Sequence, residues 1–369
     1  MHEPRSPRPR DCGIRCGHLP TGPLNAITDV ADIRVGHVTI HRDEEEPPAG
    51  RGIARTGVTV IVPGDPAALV DAPVPAGAAV LNGAGELTGF LQISEWGVLE
   101  TPIYLTSTMQ VGRVYDAAVG AAVASNPRVG VDTVVIPVVG ECDDSWLSDA
   151  RCPQLTGADV RQALAAAATG PFAEGAVGAG TGMVLFEWKG GIGSASRRVE
   201  QLAATVGVLL LANFGAGPEL RIDGVPIGET LVSDIPYGAP AGSCLGVVAT
   251  DAPLDSAQLT RLARRIGLGL ARTGSVAHHG SGEIFLGIST APRTRRDGAQ
   301  THVARELVRD EQLDALFAAT VEAAEEAVVN ALWAAVDTTG RAGRTVPGLP
   351  HDAVLALLRA AGRLAPSAC

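Results

Sequence analysis

The amino-acid sequence predicts an α/β fold, and three observations carry that expectation. Seven short strand-like runs occur, and most are apolar on both faces, the mark of strands covered on two sides. Alanine- and leucine-rich stretches of helical period are interleaved with them, and no long Pro/Ser linker sets strands apart from helices. With 369 residues, 46% hydrophobic and 19% charged, the chain can bury a large core, as one large domain or two smaller ones.

Taken in order, the first strands are expected at residues 58–62 and 102–106, followed by an alanine-rich helix over 111–124. A strand over 133–139, a helix over 158–169 and strands over 183–188 and 206–212 come next. The strand at 245–249 precedes a helix over 255–272, where Leu259, Leu262, Ala263, Ile266 and Leu270 share one face. Asp255 and Gln258 have the spacing of a capping box at its start, and Gly274 ends it. A last strand at 284–288 leads to a helix over 310–336, with Leu313, Leu316, Phe317, Ala324, Ala327, Val328, Ala331 and Leu332 before Gly340. No repeat of solenoid period occurs. The acidic stretch 43–52 reads as an exposed loop, and disorder is expected at residues 1–10, 291–301 and the last few.

Composition excludes several classes. A formal charge of −11 without a basic stripe disfavours nucleic acid and anionic membranes; the short cluster Arg293, Arg295 and Arg296 reads as a solvated loop. The longest apolar run, 206–212, is far too short to span a bilayer, and no apolar stretch follows the arginine-bearing start, so neither membrane span nor secretory signal is expected and the cytoplasm is the expected location. Lys189 is the single lysine, and its neighbours fit neither a Schiff-base site nor a phosphate loop. The six cysteines, Cys12, Cys16, Cys142, Cys152, Cys244 and Cys369, form no Cys-x-x-Cys, and their spacing suits neither a zinc site nor a secreted disulfide framework. His278 and His279 read as solvent-facing on a Gly-rich loop, so no metal and no cofactor is expected.

Gly242-Ser243 is the most informative dipeptide. A glycine carbonyl stands directly before a serine hydroxyl, and the apolar run that follows can hold the hydroxyl still. Such a serine can attack its own preceding peptide, pass through an ester and emerge as a new N-terminus bearing both nucleophile and amine. Gly-Ser is also an ordinary turn dipeptide. Downstream, Ser281 and Glu283 flank Gly282, so an extended backbone points both side chains to one side, where a carboxylate can orient a serine. Asn213 ends an apolar strand before a Gly-rich turn; its amide either donates to an oxyanion or caps the turn. Glu141 heads a cluster with Asp143, Asp144 and Asp149 that either anchors a cationic amine or is solvated. Gly178-Ala179-Gly180-Thr181-Gly182 precedes a strand-like run rather than a helix, so it reads as a tight turn and not a dinucleotide loop. No Gly-x-Ser-x-Gly elbow surrounds Ser243.

These segments, together and in this order, resemble the self-processing N-terminal-serine aminopeptidases, the family of D-aminopeptidase/esterase and β-peptidyl aminopeptidase. The resemblance covers most of the chain. It runs through residues 19–30, Val35-Gly36-His37, Asn82-Gly83-Ala84-Gly85-Glu86, Val139-Gly140-Glu141, 175–182, Asn213, Gly242-Ser243, Ala271-Arg272-Thr273-Gly274-Ser275 and Ser281-Gly282-Glu283.

The resemblance implies a four-layer αββα sandwich, autocleaved into residues 1–242 and 243–369 that stay together, usually within a homotetramer. It implies Ser243 as nucleophile, Ser281 and Glu283 as its proton-relay partners, Asn213 as oxyanion donor and Glu141 as holder of the substrate's free amine. The implied reaction is hydrolysis of short peptides, amides or esters through an acyl-Ser243 ester, with D- or β-amino-acid specificity within reach. One departure bears on the pocket: where the family often has an aromatic residue just after the glutamate, Cys142, Asp143 and Asp144 follow here, and Trp146 comes later. The added acids point to cationic or strongly amine-anchored substrates. An acyltransferase of the related ornithine acetyltransferase type, which normally uses threonine, is the alternative; a non-catalytic homologue is another.

Overall fold

In the computed structural model, which describes residues 8–232, 242–291, 293, 295–296 and 301–365, β1 (Ile33–Asp43) and β2 (Ile53–Pro63) form a long antiparallel hairpin. β3 (Val74–Gly83) opens a second sheet, and α1 (Phe90–Trp96) and the two-residue β4 (Val98–Leu99) lead back to β5 (Ile103–Ser107), which pairs with β2. After α2 (Val111–Ser125), β6 (Val138–Cys142) lies parallel to β5, and α3 (Gly157–Ala165) follows. The first sheet therefore has the order β1-β2-β5-β6. A tight hairpin of β7 (Val184–Leu185) and β8 (Trp188–Lys189) feeds β9 (Gly191–Val199) and β10 (Ala204–Asn213). Beyond the short α4 (Ile227–Thr230) come β11 (Ser243–Thr250), α5 (Ser256–Arg272), β12 (Gly282–Ser289), α6 (Leu313–Ala334) and α7 (His351–Ala360). The second sheet runs β4-β3-β12-β11-β10-β9, with β11 and β12 parallel at its centre.

Three apolar interfaces define four layers. Val58, Val60, Val62 and Tyr104 of the first sheet pack on Val114, Ala117 and Val160 of α2 and α3. The other face of that sheet, through Val35, Ile61, Ile103 and Val138, meets Leu209, Leu211, Leu245, Val247 and Ile284 of the second. The far side of the second sheet, through Val206, Val208, Leu210, Val248 and Phe285, is covered by Leu259, Leu262, Ile266, Leu316 and Val328 of α5 and α6. Strand period two explains the division, since odd and even residues of β10 and β11 face opposite layers. The expected αββα sandwich is the observed architecture.

Several elements differ from expectation. Residues 133–137 do not join the sheet, and Val134 is 76% exposed; Pro137, with no N–H to give, stands just before β6 begins. The run 183–188 is a hairpin rather than one strand, because Phe186 and Glu187 take left-handed backbone conformations at its turn. Residues 8–10 are ordered: Arg8 is buried, its guanidinium donates to the carbonyl of Asn25 at 2.6 Å, and it pairs with Glu174. Arg296 is held by Glu100 at 2.7 Å and Arg293 donates to the Pro63 carbonyl at 3.0 Å, so the short basic cluster is tied to the body. Of the other positions expected to be disordered, residues 1–7, 292, 294, 297–300 and 366–369 lie outside the described residues.

Among the described residues no helix is long and apolar enough to cross a membrane. Cys12 is disulfide-bonded, whereas Cys16, Cys142, Cys152 and Cys244 are free thiols.

Candidate active site

Ser243 is the first residue of β11, and the sheet places it between two neighbours. It sits opposite Asn213, the last residue of β10, and opposite Gly282, the first residue of β12. Only 7% of Ser243 is exposed, and its hydroxyl oxygen accepts the Gly282 N–H at 3.3 Å. Gly242 packs directly against the end of β10. A β-carbon there would stand 2.4 Å from the Asn213 carbonyl oxygen and 2.6 Å from Cα of Phe214, so only glycine fits without movement. The preceding residues 233–241 lie outside the described chain.

The entry to β12 supplies the second part of the site. Ser281 donates its hydroxyl to Glu283, and the two side chains share one face as alternation through Gly282 predicts. Glu283 is fully buried; burial lifts its carboxyl above the usual carboxylate range, against the hydrogen bond from Ser281. Among the described residues its second oxygen, Oε2, has no hydrogen-bond partner. The turn before it is fixed by His278, whose carbonyl accepts Ser281 N–H at 2.8 Å and the Asn82 amide at 2.8 Å. His278 also holds Glu219 through its ring at 3.0 Å, so it is not the solvent-facing residue expected; His279 is exposed.

Asn213 has its amide clamped at both ends. Oδ1 accepts the Val184 N–H at 2.7 Å, and Nδ2 donates one hydrogen to the Asp143 carbonyl at 3.0 Å. An amide nitrogen carries two hydrogens, so this clamp orients the group and leaves the second donor for another acceptor. The β7–β8 hairpin that supplies Val184 turns through Phe186 and Glu187 at φ 50° and 63°. Such conformations cost roughly 1–2 kcal/mol each in an L-residue. The Phe186 N–H to the Phe214 carbonyl at 2.8 Å and the edge-on contact of the two rings hold the turn in place.

Glu141 lies in β6, one residue from the end of the first sheet, and is nearly buried. Its carboxylate accepts the Glu86 N–H at 2.9 Å and the Thr108 hydroxyl; burial still lifts its pKa above the ordinary carboxylate range. A β-carbon on Gly85 would lie 3.1 Å from Glu141 Oε1 and 3.5 Å from Cα of Gly282, which places this carboxylate and the Ser243–Gly282 pair on either side of one loop. Beside that loop opens a cleft of about 430 Å³, lined by Gly83, Gly85, Leu87, Phe90, Ile136 and Ile284. Glu86 of the cleft lining gives its N–H to Glu141, so a buried carboxylate lies just behind a mainly apolar cleft, which suits a substrate carrying one ammonium group on a small apolar body.

The other acids of the expected cluster have different partners. Asp149 binds Arg151 through both oxygens, at 2.9 and 2.6 Å, and Asp143 is exposed, accepting from Ser145. Asp144 is buried and accepts the Ser107 hydroxyl at 2.7 Å; desolvation raises its pKa to about 7. Glu141 alone of this group borders the cleft loop. The difference arises because β6 ends at Cys142: Glu141 is held within the sheet, whereas Asp143, Asp144 and Asp149 follow in a loop where each meets partners of its own.

Composition predicts no role for Lys189, yet it is wholly buried, with its ammonium against the backbone that carries the Asn213 clamp. Its burial lowers its pKa to about 7, against the pull of Asp144. A single lysine in an otherwise lysine-free chain is the signal that the sequence offers. Among the described residues no three His, Cys, Asp or Glu side chains are grouped to hold a metal ion.

The description of peptidase family S58 matches residues 25–346. The chain is 41% identical over 372 residues to the β-peptidyl aminopeptidase BapA of Sphingosinicella xenopeptidilytica, covering 96% of this chain and 91% of that one. Among solved structures it superposes on a Burkholderia sp. β-aminopeptidase with a TM-score of 0.87 and 43% identity, over 96% of this chain and 99% of the other. It also superposes on the L-aminopeptidase D-Ala-esterase/amidase of Ochrobactrum anthropi, described as a prototype of the serine aminopeptidases and a variant of the Ntn-hydrolase fold. The TM-score there is 0.90 and the identity 39%, over 98% of this chain and 100% of the other.

Proposed function

Because the chain belongs to peptidase family S58 and is a hydrolase of the aminopeptidase class, we propose that it cuts itself before Ser243 and then uses that serine on small substrates with a free amine. The observation that carries the reading is the register that sets Ser243 beside Asn213 and Gly282, with the hydrogen-bonded Ser281 and Glu283 flanking that glycine in the chain. In the first reaction Ser243 Oγ attacks the Gly242 carbonyl carbon. The C–N bond breaks, the amide nitrogen takes the hydroxyl proton, and water opens the resulting ester. Residues 1–242 and 243–369 remain associated, since β10 and β11 pair across the cut.

In the second reaction the substrate's ammonium sits on Glu141 and its apolar body in the adjoining cleft. Ser243 attacks the scissile carbonyl, its proton passing toward the freed α-amine and the Ser281–Glu283 pair, while the second Asn213 hydrogen meets the oxyanion. The leaving amine or alcohol departs with a proton, and water hydrolyses the acyl-Ser243 ester. The names of the relatives support β-amino residues at the substrate's N-terminus. They do not favour acetyl transfer to an amino acid.

Intact mass under denaturing conditions tests the self-cleavage, with two fragments expected and one full-length chain counting against it. Gly242→Ala is expected to slow appearance of the 243–369 fragment at least about tenfold, since the new methyl group must push the scissile residue off the β10 backbone. Cleavage at the unaltered rate would remove the steric requirement. For the amine site, Glu141→Gln is expected to raise KM for β-alanyl-p-nitroanilide about 10- to 100-fold with a smaller change in kcat, as loss of one charge-assisted contact implies. N-acetylated substrate turned over as well as the free amine would rule the anchor out.

We also assign the protein to the cytoplasm and to a homotetramer. The exposed apolar residues Val80, Leu81 and Leu91 beside the cleft support packing of subunits. A one-chain mass in sedimentation, or activity recovered outside the cytoplasmic fraction, counts against these assignments.

A further inference from the structure

The ammonium of Lys189 donates to three backbone carbonyls, Gly180 at 3.1 Å, Met183 at 2.7 Å and Gly190 at 2.8 Å. Three acceptors consume three N–H donors, which a neutral amine does not have, so this geometry holds the charged form. One of these acceptors has a special position. The Met183 carbonyl and the Val184 N–H belong to the same peptide group, and that N–H is the donor to Asn213 Oδ1.

We propose that Lys189 is a positioning residue for the oxyanion donor: its charge acts on the Asn213 amide through the Met183–Val184 peptide. A cation on the peptide oxygen withdraws electron density and makes the peptide N–H a stronger donor. A stronger bond at Asn213 Oδ1 in turn makes its Nδ2 hydrogens more acidic, because hydrogen-bonded amides polarise one another in series. One of those hydrogens is spent on the Asp143 carbonyl, and the other is the one that the proposed reading assigns to the oxyanion. The arrangement delivers positive charge to an oxyanion while keeping the lysine out of the cleft, where its amine would compete with the substrate's own. Asp144 is the acid whose charge favours the protonated lysine, against the desolvation that disfavours it. The strained turn at Phe186 and Glu187 fits this role, since the hairpin must hold Val184 and Lys189 in one fixed relation.

The inference rests on the proposed reading of Ser243 and Asn213, and a double-mutant cycle separates the two. Lys189→Gln keeps hydrogen-bond donors but removes the charge. It is expected to lower kcat about tenfold on β-alanyl-p-nitroanilide with KM within about threefold, a fraction of the 10²–10³ that a direct oxyanion donor supplies. In an Asn213→Ala background the same change is expected to alter kcat less than about twofold, because residues acting through one another are not additive. A purely structural lysine would give the same loss in both backgrounds, and that result overturns the inference alone. Unchanged kcat in Asn213→Ala with an intact Lys189 would overturn the oxyanion reading itself.

Should Lys189→Gln fail to fold, the unaltered protein still decides. With a single lysine, [15N]lysine labelling yields one side-chain Nζ signal. An ammonium shift with slow proton exchange at the pH of maximal activity is expected; a neutral amine there overturns the proposal.

Discussion

Ser243→Ala is expected to remain a single chain of 369 residues, where the unaltered protein yields fragments 1–242 and 243–369, and to lose aminopeptidase activity by about 10⁴-fold or more. Both losses have one cause. The hydroxyl that attacks the Gly242 carbonyl is the one that later attacks substrate, and alanine supplies neither that oxygen nor, uncut, a free α-amine. The fold should tolerate the change, since among the described residues Ser243 makes one side-chain hydrogen bond, accepted from Gly282 N–H, and its backbone remains paired with β10 and β12. Denaturing mass spectrometry beside a melting curve reads this directly. Two fragments from a folded Ser243→Ala protein would show that another group cuts the chain and would end the mechanism described.

Glu283→Gln is expected to lower kcat by about 10²–10⁴-fold, the range for loss of a positioned acid or base. Its pH behaviour follows from burial. The Glu283 pKa is raised in the folded chain, so the folded state holds this proton more tightly than the unfolded state. Stability contributed by the protonated form is therefore present at low pH and is lost as pH rises through the folded pKa. Activity needs the opposite form, and the acid limb of kcat/KM should fall above the ordinary glutamate range of about 4.3. In Glu283→Gln that limb should disappear. At neutral pH, relief from a buried charge opposes the cost of an amide placed where Oε2 has no partner, so the melting temperature should move by only a few degrees. A rate loss matched by an equal collapse in melting temperature would assign Glu283 to folding rather than chemistry.

The architecture was legible where short-range rules operate. The capping box at Asp255, observed with Asp255 accepting the Gln258 N–H, and the apolar face of α5 are local properties of a helix, and α2 and α6 were readable for the same reason. Strand β9 was hidden, because its inward residues include Ser194, Ser196 and Arg197. Those side chains are buried only because Ile27, Asp29, Glu322 and Glu326 come from distant segments to satisfy them. Helix α7 was missed as well, although its buried Val354, Leu355 and Leu358 have helical spacing.

By itself the sequence determined the α/β class, the central strands, the long helices and the Gly-Ser and Ser-Gly-Glu steps, since chain period and nearest-neighbour geometry depend on adjacent residues alone. Tertiary structure decided which groups share a buried space: Ser243 beside Asn213 and Gly282, Glu141 beside Gly85, and Asp144 turned from the cleft. It also decided that Lys189 is enclosed by carbonyls behind Asn213. Strand order and layer packing set these neighbours, and a charge removed from water takes its properties from whatever the fold brings within hydrogen-bonding distance.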